Sequence, residues 1–193
     1  MLPSAERLRT LFRRPSQNLT TLSWEMVEGR LGFAFPSDFK EIASTFGSGV
    51  FHHYVFMLAP AQNESSFSSY VMESEDTLEV GRLRETLPHA LFPVSGGLIP
   101  WAYAGDACTV FWRTDRGGPD DWTIVACDEQ FLRWEEFEGT ASDYLAELFS
   151  GSLRSELFEF EPEDPLTFYA QPGKVTEAWS NRPETAGPEG NRE

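Results

Sequence analysis

The sequence predicts an α+β domain in which helices pack on one side of a mostly antiparallel sheet. Three observations lead there. Residues 1–46 hold apolar positions at helical spacing, broken by Pro and Gly. Residues 98–137 change to a period of two, in four short runs divided by turn residues. A capped helical run then closes the pattern at 140–151. Helices, a meander and a further helix in that order fit one layer of helices on one sheet.

Taken along the chain, Met1–Arg14 reads as a short basic amphipathic helix carrying Leu8, Leu11 and Phe12, ended near Pro15. Trp24, Val27 and Leu31 recur at i, i+3 and i+7, and Gly32 supplies the left-handed residue that stops a helix. Phe39, Ile42, Ala43 and Phe46 repeat the pattern, with Pro36 at the start and Gly47 at the end. Val50–Leu58 reads as one strand closed by Pro60. Gln62–Met72 is polar and Ser-rich, a loop or a poorly packed helix. Glu75–Leu87 reads as a helix with Val80, Leu83 and Leu87 on its packed side.

The meander comprises Leu98–Ala104, Ala107–Arg113, Asp121–Cys127 and Phe131–Phe137. A hairpin about Gly117-Gly118-Pro119 invites a register that sets Cys108 opposite Cys127, Val110 opposite Val125 and Phe111 opposite Ile124. A cross-strand disulfide then competes with two buried thiols, and a reducing cytosol favours the thiols. Thr140, with Asp143 three residues on, opens the last helix, and Gly151 ends it. Residues 161–193 form an acidic, Pro-rich tail in which only Leu166, Phe168 and Tyr169 are candidates to dock. Residues 172–193 are expected to be disordered and to add little stability. The organisation expected is therefore a basic helical arm (1–18), a body (19–160) and a tail (161–193).

With 193 residues, 40% of them apolar, the chain can bury a full core without metal or disulfides. Met1–Arg14 lacks the apolar run of a signal peptide and no run approaches the ~18 apolar residues of a membrane span, so a cytoplasmic protein is expected. Net charge is −16, unevenly spread. Residues 115–165 hold 15 acids against 3 bases, a net −12. Such a field repels nucleic acid and anionic membranes and steers basic partners inward.

Catalytic signatures do not compete with this reading. His52 and His53, taken as strand neighbours, point to opposite faces and complete no metal site. Gly47-Ser48-Gly49 and Gly96-Gly97 do not extend into a phosphate loop, and no Ser stands in a nucleophile elbow. His89 has no evident base or nucleophile partner in the sequence. Neither a cofactor nor a metal is expected.

Trp24-x-x-x-Glu28-x-x-Leu31-Gly32, Phe35-Pro36-x-Asp38-Phe39 and Phe46-Gly47-x-Gly49 follow one another in a recognisable order. Ile99-Pro100-Trp101-Ala102, Gly105-Asp106, Val110-Phe111-Trp112, Trp122-Thr123-Ile124-Val125 and Ser142-x-Tyr144-Leu145-x-x-Leu148 continue it. Over residues 20–150 the chain resembles the SUKH superfamily, which includes yeast cell-wall assembly regulators and many bacterial relatives. It departs at Phe35, where the family commonly places a smaller aliphatic residue. The resemblance implies a bent, mostly antiparallel sheet with helices and no catalytic residues. In bacteria it implies an immunity protein that neutralises a cognate secreted or contact-delivered toxin, often a nuclease. The alternative it implies is a regulatory scaffold binding signalling or cell-wall factors. The charge pattern nominates Asp120, Asp121, Asp128, Glu129, Glu136 and Glu138 as one acidic surface that covers a basic protein toxin. Strand alternation aims Glu136 and Glu138 together and Glu135 away. The oligomeric state is left open.

Overall fold

A computed structural model describes residues 4–14, 18–85, 87–105, 108–157, 160–162 and 165–170. Five helices lie in it: α1 (Ser4–Leu11), α2 (Trp24–Leu31), α3 (Ser37–Phe46), α4 (Glu64–Arg82) and α5 (Ala141–Phe149). Seven strands form one sheet: β1 (Gly49–Phe51), β2 (Val55–Met57), β3 (Leu98–Ala104), β4 (Cys108–Arg113), β5 (Thr123–Cys127), β6 (Trp134–Phe137) and β7 (Phe168–Ala170). Their order is β6-β5-β4-β3-β2-β1-β7, and every neighbouring pair is antiparallel. The α+β meander is as expected.

The helix punctuation acts as the sequence implies. Gly32 ends α2 at φ +81°, and Gly47 follows α3 at φ +69°. Thr140 and Asp143 form a reciprocal capping box at the start of α5. Glu28 and Asp38, both in the family-like pattern, have structural work. Glu28 accepts the Phe35 N–H at 2.9 Å, fixing the turn between α2 and α3. Asp38 accepts the Ser142 N–H at 2.8 Å, tying α3 to the first turn of α5.

Alternation along the strands divides the core in two. On one face Trp101 and Trp112 stack at 5.7 Å, with Val110, Ile124 and Ala126 beside them. Phe39 of α3 lies edge-on to Trp112 at 4.9 Å, and Tyr144 of α5 meets Trp101 at 6.3 Å. Phe12, just past α1, inserts between Phe51 and Phe149, at 5.1 and 5.0 Å. Leu8 and Phe12 are buried, so the expected arm is part of the body. On the opposite face Leu98, Phe111, Val125 and Cys127 pack with Leu78 of α4, Leu91 and Phe131. Helices α1, α3 and α5 thus share one side, but the C-terminal part of α4 covers the other, so the helices do not all pack on one side as expected; the smaller core of Leu98, Phe111 and Val125 needs its own cover.

Four further expectations change. The first concerns α4, which begins at Glu64 and ends at Arg82, earlier than expected at both ends. Asn63 caps it by accepting the Ser66 N–H at 2.9 Å, and Phe67, Tyr70, Leu78 and Gly81 form the buried side. The Ser-rich stretch is helical because Ser66 and Ser69 are small enough to be buried against the body. Val80 and Leu83, expected to pack, are 43% and 79% exposed.

The second concerns residues 50–58, which are a hairpin and not one strand. His52 and His53 both adopt positive φ (46° and 57°), and Tyr54 N–H donates to Phe51 O at 2.9 Å. Consecutive left-handed residues match the twist of a tight hairpin, so this turn reverses the chain without glycine. The two histidines are turn residues, and the strand-alternation argument does not apply to them.

The third is the β4–β5 register. Thr109 faces Cys127, Phe111 faces Val125 and Trp112 faces Ile124, one position from the expected pairing. A one-residue slip moves side chains to the other face. Cys108 belongs to the larger core and Cys127 to the smaller, so the two thiols lie on opposite sides of the sheet and no disulfide joins them. Burial pushes the Cys127 thiol up to about 12.

The fourth is the boundary at 160. β7 pairs with β1, Val50 opposite Tyr169, and Phe168 packs on Phe46 and Phe51 at 5.1 and 4.7 Å. The body therefore reaches Ala170. Residues 172–193, expected to be disordered, lie outside the described residues. Pro100, in the central strand β3, has no N–H to give the ladder, and a bulge falls between it and Ala102. That bulge brings consecutive Trp101 and Ala102 into the same core.

Candidate protein-binding surface

The six nominated acids do not form one surface. An antiparallel meander sends successive turns to opposite ends of its sheet. Asp120 and Asp121 lie between β4 and β5, at the end where β6 finishes, with Glu136 next to last in that strand and Glu138 just past it. Asp128 and Glu129 lie between β5 and β6, at the far end. The alternation expected within β6 does hold: Glu136, paired with Val125, lies on the smaller-core face, and Glu135, paired with Ala126, lies on the other.

At the first end the carboxylates are engaged within the protein. Arg113, 8% exposed, reaches Asp115 at 3.2 Å and Glu138 at 3.8 Å, and it also pairs with Glu136. Arg116 takes Glu138 at 2.8 Å. His89 approaches Glu136 at 3.7 Å and meets the Trp134 ring at 5.4 Å. Asp120 accepts the Ser37 N–H at 2.6 Å at the first residue of α3. That backbone hydrogen bond, with the Ser37 side chain and Lys40, holds its carboxyl below the usual range. Asp121 accepts the Gly118 N–H at 3.0 Å and closes its own turn. Acids here serve pairing and capping.

At the other end a cleft of about 460 Å³ opens where three hairpin turns meet the segment after α5. Tyr54, Gly105, Asp128, Glu129, Arg133, Glu156 and Leu157 line it, with Cys108 and Gln130. Asp128 organises its own turn by accepting the Leu132 and Arg133 N–H groups at 2.8 and 3.3 Å, and Arg133 Nε at 3.1 Å. Burial raises its pKa, but those donors and the guanidinium charge together outweigh burial and hold the carboxyl below its usual range. Glu129 and Glu156 are exposed, and among the described residues neither is in an ion pair. At this end two exposed carboxylates stand outside the ion pairs among the described residues, whereas at the other Arg113 and Arg116 pair with Asp115, Glu136 and Glu138.

Glu156 was not among the nominated residues, and Glu135 places it. Glu135 accepts Ser155 Oγ at 2.6 Å, Leu157 N–H at 3.1 Å and the Glu156 N–H, pinning this irregular segment to the sheet. The β6 alternation, which turns Glu135 away from Glu136 and Glu138, was the available signal. The rim beside Tyr54 is aromatic. Phe160 stacks on Tyr54 at 4.4 Å and meets His52 at 5.9 Å. His53 lies 4.2 Å from Tyr169, which is 43% exposed.

Among the described residues no group of three or more His, Cys, Asp or Glu is placed to hold a metal, and no helix is long and apolar enough to cross a membrane. Comparison with family models, with curated proteins and with solved structures finds no match.

Proposed function

We propose that this protein is a non-catalytic binding module whose acidic surface covers the basic site of a partner protein. The observation that carries the reading is the difference between the two sheet ends. One pairs Asp115, Glu136 and Glu138 with Arg113 and Arg116; the other leaves Glu129 and Glu156 outside any ion pair among the described residues, beside a cleft with an aromatic rim. A nuclease presents cations to grip phosphates, and carboxylates in a concave site can occupy those cations in place of the substrate. The SUKH-like pattern supplies the biological setting of a cytoplasmic immunity protein that neutralises a cognate bacterial toxin. Glu28 and Asp38 of that pattern hold the fold together, which suits a signature of architecture more than of chemistry.

The test is protection. Cells expressing the product of the adjoining gene, with and without this protein, are compared for growth, and the two proteins are copurified. The reading expects rescue and a stable complex. Toxicity without rescue, or rescue without a complex, overturns it.

A further inference from the structure

Resting on that reading, we infer that the cleft is a receptor for an arginine side chain presented by a basic loop of the partner. The cleft volume, about 460 Å³, falls within the ~300–1,000 Å³ of ordinary ligand sites. It is far larger than one surface ion pair requires. Its wall combines the Tyr54 ring and Leu157 with carboxylates at Glu129 and Glu156. A guanidinium is planar, stacks on aromatic faces and donates to carboxylates in a fork. An ammonium group satisfies only the charge.

Arg133, the one cation among the described lining residues, does not cancel this preference, because it is committed to Asp128 at 3.1 Å. The receptor is held in shape before a partner arrives. Asp128 braces the β5–β6 turn with two backbone bonds, and Glu135 braces the segment bearing Glu156. Preorganisation of this kind lowers the entropic cost of binding.

The probe is a hexa-arginine peptide titrated into the full chain by calorimetry, with hexa-lysine as comparison. Two double variants each remove two negative charges: E129Q/E156Q in the cleft and E136Q/E138Q at the opposite end. The inference expects hexa-arginine to bind several-fold tighter than hexa-lysine. It expects at least a tenfold loss in E129Q/E156Q and less than twofold in E136Q/E138Q. Equal losses in the two variants, or equal binding of the two peptides, overturn it. Glu129 and Glu156 are exposed and in no ion pair among the described residues, so circular dichroism of E129Q/E156Q should match wild type. Protection of cells that survives E129Q/E156Q unchanged also overturns the receptor, and leaves the immunity reading standing. Hexa-arginine binding at the cleft without protection of cells overturns the immunity reading alone.

Discussion

Replacing Phe168 by Ala tests whether the chain beyond residue 160 belongs to the body. The Phe168 ring packs against Phe46 at 5.1 Å and Phe51 at 4.7 Å, and the Arg14 guanidinium lies 5.2 Å from its centroid. Each aromatic pair contributes about 0.5–1.5 kcal/mol, and a cation over a ring adds about 0.5–1 kcal/mol. A fully buried Phe→Ala change costs about 3–5 kcal/mol, and Phe168 is only partly buried, so the expected loss is about 2–3 kcal/mol. In a chain of this length that lowers Tm by about 4–12 °C. Urea unfolding gives the magnitude and hydrogen exchange gives the location. His52 N–H donates to Thr167 O at 2.7 Å, so its amide should lose protection when β7 detaches. Tyr169→Ala in the same strand, with its ring 43% exposed, should cost under about 1 kcal/mol. A loss under about 0.5 kcal/mol for Phe168→Ala, with the His52 amide still protected, would place the end of the body at 160 after all.

On α4, Leu78→Ala should cost about 2–4 kcal/mol, while Leu83→Ser should stay within about 0.5 kcal/mol; the reverse order in urea unfolding would restore a helix centred on 75–87. Asp143 governs part of the acid limb. Burial raises its pKa, but hydrogen bonds from Ser4 and Thr140, with Arg7 nearby, outweigh burial and leave it depressed. A depressed folded-state pKa gives stability that is present above the unfolded value near ~4 and is lost as pH falls through the folded value. Asp143→Asn should therefore cost most at about pH 6 and least near about pH 2, and a stability gap that stays constant with pH would contradict this assignment. Cys108 and Cys127, on opposite faces of the sheet, should leave Tm and intact mass the same with and without reductant; an oxidised monomer two mass units lighter would require a different register.

The caps were legible because each is a local event. Gly32, Gly47 and the Thr140–Asp143 box depend on residues within one or two helical turns of themselves. The alternation of β6 was legible for the same reason, and it placed Glu135 apart from Glu136. The register was not legible, because it depends on how residues 114–122 turn, including the 3₁₀ turn Pro119–Asp121. One residue of slack there changes the face of every β5 side chain. The hairpin at 51–55 was missed because His52-His53 lacks the Asn-Gly chemistry that normally marks such a turn. The charge concentration was visible in the sequence, but its partition was not. Arg113 meets Glu136 across two intervening turns, and Glu156 joins the cleft only through Glu135. Those contacts are tertiary and have no periodicity to reveal them.

The most direct measurement is the association rate of the protein with the product of the adjoining gene, followed from about 0.05 to 0.5 M salt. Across that range the Debye length contracts from about 14 Å to about 4 Å, so steering between opposite charges is progressively screened. Binding through an acidic surface predicts rapid association that falls at least tenfold, with a far smaller change in dissociation. No binding at low salt, or an association rate indifferent to salt, would contradict the claim that unpaired acids on this surface select a basic partner.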